Sequence, residues 1–128
     1  VLAAIPSLTG VIPQVPPEYS AKKVQGAPAY RAARAGASVV LAPAPVTVHE
    51  WLIASLTEEE LNVSIVCGGG TYVRALARDL GRACGSAAHL TSLRRTRSGE
   101  FDVMDAATID DLRATPKPVI RKLKVIAE

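Results

Sequence analysis

The segment of this sequence best suited to chemistry is Cys67-Gly68-Gly69-Gly70-Thr71-Tyr72, a glycine-rich turn between a strand-like run and a helix-like run. Exposed backbone N–H groups at such a helix start can cradle a phosphate. The lysine of a Walker loop and the later acid of a full dinucleotide fingerprint are both absent, so a tight turn without ligand stands as the alternative. Arg74 follows within the first turn of the expected helix, where the dipole disfavours a cation by about 0.3–1 kcal/mol unless an anion lies nearby. A carboxylate from elsewhere in the fold or a phosphate of a bound polyanion would satisfy it, whereas an arginine swinging into solvent needs neither. His49, inside an expected strand, and His89, in an expected loop, have no nucleophile-elbow serine or cysteine beside them, so no triad is expected. Asp79 lies between Arg78 and Arg82 and reads as an ion-pair partner rather than a catalytic acid.

The elements that must hold these residues follow from periodicity and breakers. Leu61 to Cys67 alternates Val63, Ile65 and Cys67 against Asn62, Ser64 and Val66, the period of a half-buried strand. With the β-rich run Val46 to Leu56 and the polar turn Thr57 to Glu60 it should form an antiparallel hairpin. After the glycines, Thr71 is the expected N-cap of a helix. Its apolar stripe is Val73, Leu76, Ala77, Leu80, Ala83 and Cys84, and Gly85 is its stop. Arg74, Arg78 and Arg82 would form a basic ridge on another face of it. Upstream, Pro13, Pro16 and Pro17 forbid a helix interior, so an extended or irregular segment is expected there. Ala29 to Ala35 favours a short helix ending at Gly36, and Val39 to Leu41 a short strand. Leu90 to Thr96, a turn at Arg97-Ser98-Gly99 and Glu100 to Val103 suggest a second hairpin, followed by a short helix and a basic tail.

At 128 residues and 48% hydrophobic content, the chain can bury a single core. No apolar run approaches the roughly 18–20 residues of a membrane span, and no signal peptide is visible, so a cytoplasmic protein is expected. Cys67 and Cys84 are too few for a disulfide framework and are expected to be buried free thiols. The chain opens at Val1 and its single methionine is Met104, so a processed product or a fragment is expected. The net charge of +3 says little, but Arg74, Arg78, Arg82, Arg94, Arg95 and Arg97 face the single acid Asp79 between Gly68 and Gly99. Such clustering fits either a polyanion site or a solvated arginine face.

Three ordered motifs carry a family resemblance. Gln14-Val15-Pro16-Pro17-Glu18-Tyr19-Ser20-Ala21, continuing through Lys23 and Gly26 to Ala29-Tyr30 and Ala33-Arg34-Ala35-Gly36, resembles the tRNA-gripping thumb of the TruB-type tRNA pseudouridine synthases. Gly70-Thr71-Tyr72-Val73-Arg74 with the following Asp79-Leu80-Gly81 is similar to that family's glycine-Thr-Tyr-x-Arg motif. Ala88-His89-Leu90-Thr91-Ser92-Leu93-Arg94-Arg95-Thr96-Arg97-Ser98-Gly99 resembles its late hairpin motif. One departure is Lys22, which takes an apolar place of the usual Ser-Ala-x-Lys pattern and leaves Lys23 as the matching lysine.

The resemblance implies an α+β pseudouridine synthase-like fold with a mixed, mainly antiparallel sheet, packed helices and its N-terminal part missing. Residues 1–110 would be a partial catalytic domain with a thumb-like segment at about 14–45, and 111–128 a tail or the start of another domain. It implies a cofactor-free, metal-free isomerase, expected to be monomeric, that flips a uridine from the T-loop of tRNA and rejoins it through carbon. Tyr72, Arg74 and Leu93 would line the pocket, Arg74 pairing with the catalytic aspartate, while Lys23, Tyr30, Arg31, Arg34, Arg94 and Arg95 would contact RNA. The family's histidine-glycine…leucine-aspartate-proline motif, which carries that aspartate, occurs nowhere in these 128 residues. The chain alone is therefore expected to be inactive, and a noncatalytic RNA-binding or tRNA-chaperoning module is the alternative. A metabolic enzyme with a phosphate-binding glycine turn is a third reading, and it predicts no RNA affinity.

Overall fold

The structure is a computed structural model that describes residues 1–20, 23–24, 27–36 and 41–115. Two compact units divide the chain, Val1–Thr91 and Ser92–Glu128. Antiparallel strands combine with helices, giving the expected α+β class, and every strand pairing among the described residues is antiparallel.

The first unit is organised by a three-stranded sheet in the order β1 (Gly10–Gln14), β4 (Ala44–Leu56), β5 (Leu61–Cys67). Pro13 is tolerated because β1 is an edge strand, and its register partner is Pro45, so neither has an N–H to give the other. Burial along β5 alternates as its sequence predicts. Thr57 closes the β4–β5 turn, its Oγ1 accepting the N–H groups of Glu59 and Glu60.

β4 does something that simple alternation does not predict. A strict period of two would line up Val46, Val48, Glu50 and Leu52 on one face, carrying a charge into the core. The register instead slips between Val48 and Glu50, leaving His49 as the extra residue of a bulge. Beyond the bulge Trp51 takes the inward position opposite Ile65, while Glu50 stays exposed. The core that results is Ile12, Val46, Val48 and Leu76, flanked by Leu8, Trp51, Ile65 and Cys67.

Before β1 the first residues form a 3₁₀ helix, Leu2–Leu8, where the sequence suggests only a short apolar stretch. The Trp51 indole anchors it by donating to the Leu8 carbonyl at 3.2 Å. Between β1 and β4 lie β2 (Lys23–Val24), paired with β3 (Ala27–Pro28), and the helix α1 (Ala29–Arg34). Gly36 has the positive φ of 73° expected of a residue just past a helix end. Of the expected strand at Val39 to Leu41, Val39 and Val40 lie outside the described residues, and Leu41 is buried but not in a strand.

Helix α2 (Val73–Ala83) differs from expectation at both ends. Its N-cap is Tyr72, in an extended conformation, and not Thr71, whose buried hydroxyl has no partner among the described residues. Its inward face is Ala75, Leu76, Leu80 and Gly81, so the expected stripe is rotated and Ala83 and Cys84 are exposed. Cys84 is thus not a buried thiol, and Cys67 is only half-buried. The rotation follows from the way the chain leaves the helix. Gly85, at φ 69°, closes a Schellman motif in which Ser86 N–H bonds the Gly81 carbonyl at 2.9 Å and Gly85 N–H bonds Arg82. The reversed chain then lies directly on Gly81.

The second unit holds a shorter hairpin than the sequence suggests. β6 is Arg97–Ser98 and β7 is Phe101–Asp102, so Arg97 and Ser98 are strand and not turn, and Leu90 to Thr96 is not a strand. Gly99, with φ 58°, sets the reversal one residue later than expected. Beyond Asp102 one more bond, from Val103 N–H to the Thr96 carbonyl at 2.8 Å, joins the two sides, and the Asp102 side chain, accepting the Met104 N–H at 2.8 Å, caps a 3₁₀ turn over Val103–Asp105. Helix α3 (Ile109–Ala114) opens with a capping box between Thr108 and Asp111.

These helix ends can be tested separately. A methyl group on Gly81 would meet the backbone N of Ala88 at 2.5 Å and the carbonyl carbon of Ala87 at 2.8 Å. Gly81→Ala should therefore destabilise the chain by about 1–3 kcal/mol in urea unfolding, although alanine ordinarily favours a helix interior by about 1 kcal/mol over glycine. The Thr108 side chain, and then its backbone N–H, hold the Asp111 carboxyl below the ordinary aspartate value. A depressed carboxyl stabilises the folded form above its ordinary pKa and ceases to do so as pH falls through the lowered one. Protection of the α3 amides, taken relative to the intrinsic exchange rate at each pH, should fall in that acidic window, and Thr108→Ala should remove this pH dependence.

Candidate functional site

The residues with candidate chemistry in the first unit gather where β1 ends and α2 begins. Ile12 and Gln14 share the inward face of β1, so the strand's period carries a polar side chain into the interior. Gln14 is only 1% exposed, and its amide meets both main-chain groups of one residue. Its Oε1 accepts the Tyr72 N–H at 2.8 Å and its Nε2 donates to the Tyr72 carbonyl at 3.2 Å. The same carbonyl accepts the N–H groups of Ala75 and Leu76, so this bracket holds the residue from which α2 starts.

Two arginines on successive turns of α2 hold the proline-rich segment that leaves β1. Arg74 donates to the Tyr19 carbonyl at 2.7 Å, and Arg78 donates to the Val15 carbonyl at 2.9 Å. Pro16 and Pro17 lie between these two carbonyls and bring no N–H groups, so this stretch has few ways to bond itself in place. Arg78 also spans Asp79 through its Nε at 2.8 Å and Nη2 at 3.2 Å. Arg82 lies 3.9 Å from the same carboxylate, which bears out Asp79 as an ion-pair partner. The expected basic ridge is thus divided. Arg74 and Arg82 are exposed, whereas Arg78 is half-buried and bound on both sides.

The oxygen that meets Arg74 is a carbonyl, neither a carboxylate nor open solvent. Tyr72, half-buried, and Arg74 are therefore brought together with Gln14 and Tyr19. Lys23 on β2 and Arg31 and Arg34 on α1 are exposed, with Tyr30 on the same helix. Leu93, Arg94 and Arg95 belong to the second unit, where all three are exposed and outside regular structure. Arg95 there borders a shallow depression with Thr96, Arg97, Phe101 and Val103. His49 and His89 are exposed, in β4 and in a loop respectively. Among the described residues no cluster of histidine, cysteine and acidic side chains could hold a metal, and no helix is long and apolar enough to cross a membrane.

Sequence reasoning missed Gln14 and Arg78 as parts of this site. The available signal was a polar residue two places after Ile12 on a strand's inward face, which must find partners to be buried. For Arg78 it was the four-residue spacing from Arg74, which stacks the two on one side of a helix. Arg78→Lys should cost about 1–2 kcal/mol in urea unfolding, because one ammonium cannot serve the Val15 carbonyl and both Asp79 oxygens as the guanidinium fork does.

Comparison with known proteins gives this arrangement a family. The sequence model described as TruB family pseudouridylate synthase, N-terminal domain, matches residues 1–73, and that of the tRNA pseudouridylate synthase B C-terminal domain matches residues 74–119. The chain is 50% identical over 113 residues to the tRNA pseudouridine synthase B of Aromatoleum aromaticum, covering 88% of this chain and 37% of that protein. It is 48% identical over 116 residues to the protein of the same name from Thermobifida fusca, covering 84% of this chain and 40% of that protein. The corresponding protein of Rhodopseudomonas palustris is 49% identical over 113 residues, covering 88% of this chain and 31% of that protein. The chain thus spans between about three and four tenths of the length of these relatives, and it belongs to the TruB family of pseudouridylate synthases.

Proposed function

We propose that the protein is a tRNA pseudouridine synthase that isomerises a T-loop uridine, and that these residues form part of its catalytic domain in a pseudouridine synthase-like fold. The observation that carries this reading is the run of family matches over residues 1–119, with about half of the aligned residues identical to proteins named tRNA pseudouridine synthase B. The reaction breaks the bond between ribose and base nitrogen, turns the base and rejoins it through carbon, so it needs no redox partner. It takes place in the cytoplasm, with the T-arm of tRNA as partner and a monomeric enzyme without cofactor or metal.

In this reading residues 1–110 belong to the catalytic domain and 111–128 to a tail or the start of another domain. Flipping a base out of its stack costs a few kcal/mol, which a wall of aromatic and apolar groups offsets. Tyr72 and Leu93 supply that wall, and Arg74 supplies a cation at the reacting centre. The segment of about 14–45 acts as a thumb on the RNA, with Lys23, Tyr30, Arg31 and Arg34 contacting it, and Arg94 and Arg95 add further contacts. The aspartate that opens the reaction in this family has no counterpart among the 128 residues. As a second reading, the exposed Lys23, Arg31, Arg34, Arg94 and Arg95 side chains would suit a module that binds or refolds tRNA without modifying it.

One experiment separates these readings. A T-arm RNA labelled with tritium at uridine C5 should release its label to water when incubated with the complete gene product, because rejoining through that carbon displaces its hydrogen, whereas the 128-residue chain alone should release none. Salt-dependent RNA binding without release by the complete product would leave the noncatalytic reading. Alanine at Lys23, Arg31 or Arg34 should each weaken binding and reduce the slope of log affinity against log salt by about 0.7–0.9 for every phosphate no longer neutralised. Unchanged affinity and slope in all three would make this stretch a solvated face.

A further inference from the structure

Among the described residues Gln14 is one of the largest fully buried side chains, in the company of Leu76 and Val48. An apolar side chain would fill that place in line with Ile12, and would avoid burying an amide that costs about 1–3 kcal/mol if left unbonded. What an apolar residue cannot do is hold a peptide group in one orientation. The Gln14 amide meets the N–H and the C=O of a single residue, Tyr72, which fixes the planes on both sides of its α-carbon. The amide's own orientation is unambiguous, because a backbone N–H only donates and a carbonyl only accepts.

The bracket also joins two rigid parts. Gln14 is the last residue of β1, in register with Ala44 of β4, and Tyr72 caps α2, whose first two turns carry Arg74 and Arg78. Arg74 and Arg78 in turn hold the carbonyls of Tyr19 and Val15. A change at Gln14 therefore moves the Tyr72 main chain first and the Arg74 attachment with it.

We propose that Gln14 is a positioning residue for the modification reaction, fixing the Tyr72 main chain so that its ring and Arg74 meet the flipped base in one geometry. This rests on the synthase reading given above. Gln14 acts through Tyr72 and touches no substrate. Displacing a reacting group by about 1 Å costs on the order of 100-fold in rate, and a residue that acts only in this way leaves ground-state binding nearly unchanged.

The test uses the complete gene product and a T-arm RNA under single-turnover conditions, with melting temperatures followed over the same pH range. Gln14→Ala should slow conversion by about 100-fold while RNA affinity shifts by no more than about twofold. Gln14→Glu carries its own control. Ionised, its carboxylate still accepts from Tyr72 N–H but sets negative charge against the Tyr72 carbonyl, whereas protonated it regains a donor. Burial raises such a carboxyl above its usual range, so the rate of Gln14→Glu relative to the unsubstituted protein should climb as pH falls. A role in stability alone predicts a ratio that follows the melting temperature, so the proposal is read from the change in rate that remains at temperatures where both proteins are folded. Conversion by Gln14→Ala at the unsubstituted rate, or a flat ratio for Gln14→Glu, overturns the proposal even if Gln14→Ala folds poorly. If the unsubstituted protein converts no uridine, it is the synthase reading that fails, and the positioning role falls with it.

Discussion

The junction between the end of β1 and the start of α2 is the constraint on which the first unit depends. Hydrophobic packing of Ile12, Val46, Val48 and Leu76 brings the helix onto the sheet but is not directional, so by itself it would leave the helix free to slide or turn. Three polar attachments remove that freedom. Gln14 fixes where α2 begins, and Arg74 and Arg78 fix the segment leaving β1 against its first two turns. The far end is fixed sterically, with the backbone at Ala87 and Ala88 lying on Gly81. A helix held at both ends is a suitable mount for Tyr72, which lies at the directional end.

The bulge in β4 serves the same mount from the sheet side. Without the extra residue at His49, the strand would present Glu50 to the core, and the Trp51 ring would point away from Ile65. The indole instead reaches the Leu8 carbonyl and ties down the 3₁₀ segment that leads into β1. The position of Gln14 thus depends on a chain of local choices that begins at His49, in a strand whose hydrophobic pattern looks irregular when read alone.

What is legible in the sequence is what depends on local pattern. The β5 alternation, the hairpin with β4, the helix after the glycines and the stop at Gly85 all follow from side-chain period or from a required positive φ. The errors share a different cause. Thr71 is a good N-cap by composition, yet Gln14, distant in sequence, bonds the next residue and the helix starts there. Cys84 belongs to a helical stripe by spacing, yet the Schellman reversal and the close approach at Gly81 turn the buried face away from it. The second hairpin is shorter than its pattern suggests because, one bond past β6 and β7, the cap made by Asp102 turns the chain into a 3₁₀ helix. In the site, Tyr72 and Arg74 stand out through a family motif, whereas Gln14 and Arg78 act through partners that no local window contains.

The division of the basic residues by partner also bears on how an RNA-binding surface is read from composition. Six arginines between Gly68 and Gly99 suggest one electrostatic footprint, but two of those on α2 already have protein acceptors. Arg78 is half-buried and occupied by Val15 and Asp79, and Arg74 is engaged with Tyr19 although its side chain is exposed. A guanidinium that already has protein acceptors gives up those bonds if it is to neutralise a phosphate, so its contribution to polyanion affinity is smaller than its charge suggests. Under the proposed function, the exposed side chains of Lys23 and Arg31, and of Arg94 and Arg95 in the second unit, are the ones to take contacts with an RNA backbone. Charge near the glycine turn therefore holds the start of α2, and under the proposed function contact with a nucleic acid falls to the exposed cations that each unit carries elsewhere.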